Sequence, residues 1–270
     1  MPELPEVETS RRGIEPFVTE RIVRGVTIRN RALRWPVADD FETVFTGRRV
    51  ASVGRRAKYL LFNTAGGSAI LHLGMSGSVT IVPGDAPAGV HDHVDILLDS
   101  DDILRFRDPR RFGSLHWADD PASHWLLSEL GPEPLGDDFD GNYLWQLSRG
   151  RRVAVKPFIM NAHIVVGVGN IYASEALFRA GIHPRRQAGR ISRARYAQLA
   201  DAIKEVLARA IEAGGTTLRD FYGFNGEAGY FQLELDVYGR DGKACPRCGS
   251  SIRHAVLGQR ATYYCVTCQR

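Results

Sequence analysis

No cysteine precedes Cys245 in this chain of 270 residues, and the four it has fall within the last 26. Disulfides therefore cannot staple the bulk of the chain. No apolar run approaches the ~18 residues that a membrane-spanning helix needs. The opening Met-Pro-Glu-Leu-Pro-Glu lacks the basic and apolar segments of a secretory signal, so the expectation is a cytoplasmic protein. Glycine (28) and proline (13) are scattered without a period, which excludes a collagen-like or low-complexity chain, and no internal repeat appears. Charge of one sign is not in great excess either: the net of +4 fits a solvated surface as well as a polyanionic partner. What remains, 44% hydrophobic and 24% charged, is material for one large or two medium cores.

The four cysteines read C-x2-C, sixteen residues, C-x2-C: Cys245, Cys248, Cys265 and Cys268. Two residues between thiols let a tight turn aim both sulfurs at one ion, and four soft ligands close a tetrahedron, the pattern of a structural zinc site with no open position. Between the pairs, β-formers flank Leu257-Gly258-Gln259-Arg260, which predicts a hairpin with Arg260 at or near its tip. The tail from Asp236 has Arg240, Lys243, Arg247, Arg253, Arg260 and Arg270 against Asp236 and Asp241, an excess equal to that of the whole chain. Bound thiolates would reduce it. Phosphate contact by Arg260 and a solvated arginine on a structural clip both fit this segment.

The first ~130 residues alternate short β-rich stretches with turn signals, the pattern of a sandwich or barrel. Strands are predicted at Val23–Arg31, Arg49–Phe62, Ala69–Val82, His93–Leu98, Ile103–Arg107 and Ser114–Trp117, with a short helix before them over Glu6–Gly13. In His93-Val94-Asp95-Ile96 polar and apolar residues alternate as in a half-buried strand. The Pro/Gly/acid stretch from Gly131 to Asp138 reads as a linker. Beyond it the period turns helical. Tyr196, Leu199, Ile203, Val206, Leu207, Ala210 and Ile211 form one apolar face, with Ser192 as N-cap and Gly214-Gly215 as the stop.

The stretch Val166-Gly167-Val168-Gly169-Asn170 lacks the third glycine and the βαβ setting of a dinucleotide loop. Asn170 at a helix start is either an anion site or a simple cap. At the front, loss of Met1 would make Pro2 a secondary amine. An α-amino group, with a pKa of ~8, is far more often neutral at pH 7 than a lysine. Such an amine can form a Schiff base at a sugar carbon, and Glu3 and Glu6 stand nearby as acid or orienting group.

Seven motifs occur in order along the chain: the opening PELPEVET, GRRAKYLLF around Lys58, LHLGMSG around Met75, HDHVD from His91, RFRDPRRFG ending at Gly113, VVGVGNIYASE around Asn170, and GQRATYYC in the cysteine hairpin. Together they resemble the bacterial formamidopyrimidine-DNA glycosylase family from end to end. The resemblance implies an α+β fold in two domains, with DNA gripped in the cleft between them: an N-terminal β-sandwich opened by a helix, and a C-terminal helix-two-turn-helix domain with a four-cysteine zinc β-hairpin finger. On that basis residues 1–130 are expected to be the catalytic sandwich, 131–140 the linker, 141–235 the helical DNA-binding domain and 236–270 the finger.

The resemblance also implies roles. Pro2 attacks the deoxyribose C1′ as an oxidised purine leaves, Glu3 donates the proton, and Glu6 supports it. Lys58 serves β-elimination and Arg260 δ-elimination, leaving a gap with phosphates on both sides. Met75, Arg110 and Phe112 fill the space of the extruded base, an apolar wedge with a cation for the orphaned partner. Lys58, His72, Asn170, Tyr238 and Arg260 grip phosphates, and His91, Arg110 and Arg151 are expected at the DNA. The partner is damaged duplex DNA, through which the protein joins the nucleoid, the cofactor is one zinc ion, and the protein is a monomer. The segment Thr217–Tyr230 corresponds to a loop that closes over the extruded base. Asn161 stands where the family usually has an acid, which bears on local helix packing or capping. Two other readings fit parts of the pattern: a sister endonuclease VIII-type enzyme for oxidised pyrimidines, and a zinc-finger DNA-binding protein without catalysis. The PELPEV opening and the Met/Arg/Phe set favour the purine enzyme over the first. Pro2, Glu3 and Lys58 speak against the second.

Overall fold

The computed structural model describes residues 2–214 and 235–270. They fall into two compact units, one running up to Ser128 and the other from Glu129 to Glu212 and again through the C-terminal segment ending at Arg270. No helix among the described residues is long and apolar enough to cross a membrane.

The first unit opens with α1 (Leu4–Val18), longer at both ends than the sequence predicts. Pro5 sits in the first turn, where its missing N–H has no partner to lose. Gly13 does not end the helix, because Ile14 and Val18 beyond it are buried in the core. Eight strands follow, with the short helix α2 (Phe41–Phe45) after the first: β1 (Val23–Ile28), β2 (Ser52–Arg56), β3 (Tyr59–Thr64), β4 (Gly67–His72), β5 (Ser78–Pro83), β6 (Asp92–Leu98), β7 (Asp102–Arg107) and β8 (Ser114–Ala118). They form two antiparallel four-stranded sheets, ordered β1-β6-β7-β5 and β2-β3-β4-β8. Val53, Leu60, Phe62 and Leu71 from one sheet share a core with Val79, Val94, Ile96 and Phe106 from the other, and α1 adds Val7, Ile14 and Val18. The sandwich reading holds.

Two predicted strands are each two. Arg49–Phe62 folds back at Ala57-Lys58, where Ala57 takes a left-handed φ of 55° and Arg56 pairs with Tyr59. No glycine, asparagine or proline announces that turn. Ala69–Val82 breaks at Leu73–Gly77, so that β4 lies in one sheet and β5 in the other. Strand β6 is also more buried than its alternation suggests. Its polar residues Asp92, His93 and Asp95 are covered as well, Asp95 by Arg29 (2.6 Å) and Arg105 (2.8 Å).

The second unit contains α3 (Gly141–Ser148), α4 (Val155–Ile159), α5 (Asn170–Arg179) and α6 (Arg193–Glu212). Asp140 caps α3 by accepting the Tyr143 N–H at 2.7 Å. The apolar stripe on α6 is buried as its spacing predicts, and Ser192 Oγ accepts from the Arg195 N–H at 3.4 Å. A Cβ on Gly141 would lie 2.3 Å from the Ala197 Cα, so α3 and α6 cross with backbones nearly touching. The chain ends in the hairpin β9 (Arg253–Leu257) and β10 (Arg260–Tyr264). Its two-residue turn has positive φ at both Gly258 and Gln259, the type that matches strand twist.

Burial pushes His72 and His116 down to about 4, with neighbouring Lys58 and Arg34 adding to the effect at His72 and His124 at His116. Both folded values lie below the ordinary 6.5, so both rings are neutral in the folded state. Their stabilisation is complete above 6.5 and is lost as pH falls toward about 4. Denaturant unfolding followed by tryptophan fluorescence should therefore show a loss of stability across that window. Three of the four tryptophans (Trp35, Trp117, Trp125) belong to the first unit. His116→Gln, which removes one titrating ring, should flatten the slope.

Candidate active site and metal centre

In the first unit the start of α1 is fixed by carboxylates. Glu6 is fully buried, and its Oε2 accepts the Glu3 N–H at 2.8 Å, which orients the residue directly after Pro2. Glu3 is 2% exposed. Pro2 is buried too, and its nitrogen is an amide while Met1 is attached. Only removal of Met1 makes it an amine.

Two residues beyond Glu6, Glu8 serves as an anchor that the sequence does not reveal. It pairs with Arg11 (3.0 Å), Arg12 (2.9 Å) and, across to β2, Arg55 (3.0 Å). Burial alone would raise its pKa, but hydrogen bonds from Arg11, Arg12 and Arg55 hold it below the usual value. Arg55 in turn donates to the Ala57 carbonyl at 2.8 Å, the residue before Lys58. The chain Glu8–Arg55–Ala57 thus ties the helix that begins beside Pro2 to the turn that carries Lys58.

Lys58 is half-buried, and its neighbour Tyr59 pairs in register with His72, the rings 4.8 Å apart. His72 Nδ1 accepts the Gly74 N–H at 3.0 Å. A neutral imidazole that accepts at Nδ1 carries its proton on Nε2, so His72 is an uncharged donor. Beyond it, the segments bearing Met75 and Arg110–Phe112 pack backbone to backbone. A Cβ on Gly74 would lie 2.4 Å from the Gly113 nitrogen, and one on Gly113 2.6 Å from the His72 carbonyl oxygen. Phe112 is 42% exposed, and the Arg110 guanidinium lies 4.7 Å above its ring. Met75 and His91 are half-buried.

In the second unit Asn170 begins α5, but the N-cap position belongs to Gly169. The Asn170 side chain is engaged elsewhere. Its Oδ1 accepts from Lys156 Nζ at 2.7 Å, and its Nδ2 donates to the Tyr238 hydroxyl at 3.2 Å. Lys156 is fully buried and also donates to Thr262 Oγ1 (2.9 Å) and to the carbonyl of Ala261 (3.0 Å), the residue after Arg260. Glu175, from the next turns of α5, accepts the N–H groups of Asp236, Val237 and Tyr238 at 2.8–3.0 Å. Burial nevertheless raises its pKa. One buried lysine and one buried glutamate thereby bring Asn170, Tyr238 and the start of β10 together. Glu175 closes the VVGVGNIYASE motif, whereas for Lys156 the only signal is a lone lysine among apolar residues in VKPFI. Arg260 is exposed as the first residue of β10, and Arg151 is exposed in the loop after α3. Asn161, exposed just after α4, accepts the His163 N–H at 3.0 Å, a local turn contact. The segment Thr217–Tyr230 lies outside the described residues.

The sulfurs of Cys245, Cys248, Cys265 and Cys268 lie within 4.8 Å of one another, with Cys245–Cys268 at 3.9 Å and Cys248–Cys265 at 3.5 Å. Four thiolates ~2.3 Å from one zinc ion would stand at such separations. Cys245 and Cys265 pack with Ile252 and Val237 against Phe178 of α5. Arg247 donates to the Phe178 (3.3 Å) and Arg179 (3.2 Å) carbonyls and so caps the helix end. The donor set fits a structural zinc that fastens the hairpin to α5.

Comparison with known proteins gives the same organisation. Family models match in order: the formamidopyrimidine-DNA glycosylase N-terminal domain over residues 1–115, the H2TH domain of the same glycosylase over 130–222, and a zinc finger found in FPG and IleRS over 242–270. The chain is 60% identical to a formamidopyrimidine-DNA glycosylase of Stutzerimonas stutzeri and 59% identical to one of Stenotrophomonas maltophilia, with both chains covered completely. Among solved structures, a Lactococcus lactis FPG mutant in complex with a Fapy-dG containing DNA matches with a TM-score of 0.92 at 33% identity, 100% of each chain covered. MutM (FPG) from Thermus thermophilus matches at 0.88 and 37%, over 99% of this chain and 98% of that one. The chain belongs to the formamidopyrimidine-DNA glycosylase family.

Proposed function

We propose that this protein is a bifunctional DNA glycosylase and abasic-site lyase of base excision repair, acting on oxidised purines such as 8-oxoguanine and formamidopyrimidines in duplex DNA. The observation that carries the reading is the brace from Glu8 through Arg55 to Ala57, which gives a buried N-terminal helix start and a lysine-bearing turn one rigid support. A nucleophile and a proton carrier on separate loops would need such a support to meet at one sugar.

After Met1 is lost, the Pro2 nitrogen attacks C1′ of an extruded nucleotide. The glycosidic bond breaks, the base leaves with the bonding pair, and a proton from Glu3 neutralises it. With the C1′–N bond formed, the proline nitrogen gives up its proton and its lone pair expels O4′. The C1′–O4′ bond breaks, O4′ takes up a proton, and the product is an iminium between Pro2 and the opened sugar. Lys58 carries the proton in β-elimination of the 3′ phosphate, and Arg260 serves the subsequent δ-elimination. Hydrolysis of the iminium then frees the enzyme. Glu6, fully buried on the Glu3 N–H, keeps the donor in place. His72, neutral and donating from Nε2, and Lys58 grip DNA phosphates from the first unit, Asn170, Tyr238 and Arg260 grip phosphates from the second, and His91, Arg110 and Arg151 contact the DNA as well. A zinc ion held by Cys245, Cys248, Cys265 and Cys268 would hold the hairpin shape and leave no open position for catalysis. Residence at the nucleoid follows from DNA affinity.

Borohydride reduction during reaction with an 8-oxoguanine–cytosine duplex should trap a covalent adduct, and mass spectrometry should place it on residue 2 with Met1 absent. Pro2→Gly should weaken the lyase step, and Glu3→Gln should slow base release by roughly 10²–10⁴-fold, the usual worth of a general acid. No adduct would leave a mere DNA binder, and faster release of thymine glycol than of 8-oxoguanine would make the enzyme pyrimidine-directed. Arg260→Ala should lower DNA affinity and reduce the slope of log K against log salt by about 0.9, one phosphate contact; an unchanged slope contradicts that contact. Zinc chelation should abolish DNA binding at a temperature where the sandwich tryptophans still report a folded first unit.

A further inference from the structure

We infer that Asp108 is a positioning residue that locks the three DNA-facing segments of the first unit into one wedge, and so governs entry into a paired duplex rather than the chemistry at the sugar. This rests on the reading above that Met75, Arg110 and Phe112 enter the helix.

Asp108 is fully buried at the end of β7. Its Oδ1 accepts from Ser76 Oγ at 3.1 Å, the residue after Met75, and from the Arg110 N–H at 3.2 Å. Its Oδ2 accepts the Gly113 N–H at 2.7 Å, the residue after Phe112. The backbone of the same residue reaches a third segment: its N–H donates to the His91 carbonyl at 3.0 Å, and its own carbonyl meets His93 Nε2 at 2.9 Å. One side chain thus fixes Arg110 and the residues that follow Met75 and Phe112, and its main chain fixes His91. The segments have no slack in which to make other arrangements. Gly74 and Gly113 are in backbone contact, and Arg111 sits at a left-handed φ of 54° between the two residues expected to enter the DNA. A residue in that region persists only where its surroundings over-determine it.

The geometry asks for a carboxylate and not an amide. Three donors converge on two oxygens, and two of them are backbone N–H groups that cannot turn into acceptors. An asparagine must aim its NH2 at one of those N–H groups, whichever way it is flipped. The wedge then loses a hydrogen bond without losing volume, and its side chains sample positions beside the one that fits a base-pair gap.

The test separates intrusion from chemistry. Excision of 8-oxoguanine is timed in single turnover from two duplexes, one with cytosine opposite and one with an abasic residue opposite, where no base has to be displaced. Asp108→Asn should slow the first about tenfold, the scale of one buried donor left unpaired, and leave the second within about twofold of wild type. Ser76→Ala, which removes only one of the three bonds, should shift the same ratio in the same direction by a smaller factor. A 2-aminopurine beside the lesion should show slower unstacking in both variants. Equal slowing on both duplexes by Asp108→Asn, or no change of the ratio in either variant, overturns the proposal. Met75→Ala and Arg110→Ala serve as controls: if they too leave the ratio unchanged, the wedge reading itself fails, and if they change it while Asp108→Asn and Ser76→Ala do not, only the role of Asp108 fails.

Discussion

Removing an ionised side chain from water costs several kcal/mol unless surrounding groups meet it with hydrogen bonds. Each buried charge here therefore dictates where its partners stand. Glu8 draws Arg55 of β2 onto α1, and Arg55 holds the Ala57 carbonyl beside Lys58. Lys156 needs three acceptors and finds them on α5 and β10. Glu175 takes three successive N–H groups from the chain that enters the zinc hairpin. Taking away one partner of such a set leaves the other buried and unpaired, which is far more damaging than the loss of a surface ion pair. Lys58, Asn170, Tyr238 and the start of β10 are thus held in place by buried charges.

A second constraint is backbone proximity. Gly74 and Gly113 let two loops approach more closely than any side chain allows, and Gly141 does the same where α3 crosses α6. At the tip of the β9–β10 turn the requirement is conformational instead, with positive φ at Gly258 and Gln259. Loops closed in this way present Phe112 and Arg110 to solvent on a rigid base. The zinc cluster performs the analogous service for Arg260: the thiolates and Arg247 clip the hairpin to the end of α5, so that the exposed arginine starts from a fixed strand.

Much of this was legible before any coordinates. The cysteine spacing identified the metal ligands, the turn between β-formers identified the hairpin, and the stripe from Tyr196 to Ile211 identified the long helix and its buried face. Residues from Pro2 to Glu6 and around Lys58, Met75 and Arg110 stood out as motifs. The strand count was less accurate. The Ala57-Lys58 turn has none of the residues that usually mark one, and the glycines of Leu73–Gly77 lie inside a longer β-rich stretch that passes from one sheet into the other. In β6 the alternation was real, but the polar face is buried by Arg29, just after β1, and Arg105 of β7.

The sequence by itself determined what depends on near neighbours: the ligand pairs two residues apart, the period of a helix face, the turn between two strands, and the family to which the motifs point. Tertiary structure alone decided which charges are buried and what satisfies them. Glu8 and Arg55 are 47 residues apart, and Lys156 and Thr262 are 106 apart. A carboxylate or an ammonium looks the same in a sequence whether water or a distant side chain surrounds it. Only the folded chain supplies the low-dielectric surroundings that turn Asp108, Lys156 and Glu175 from ordinary polar residues into the fixed points of the structure.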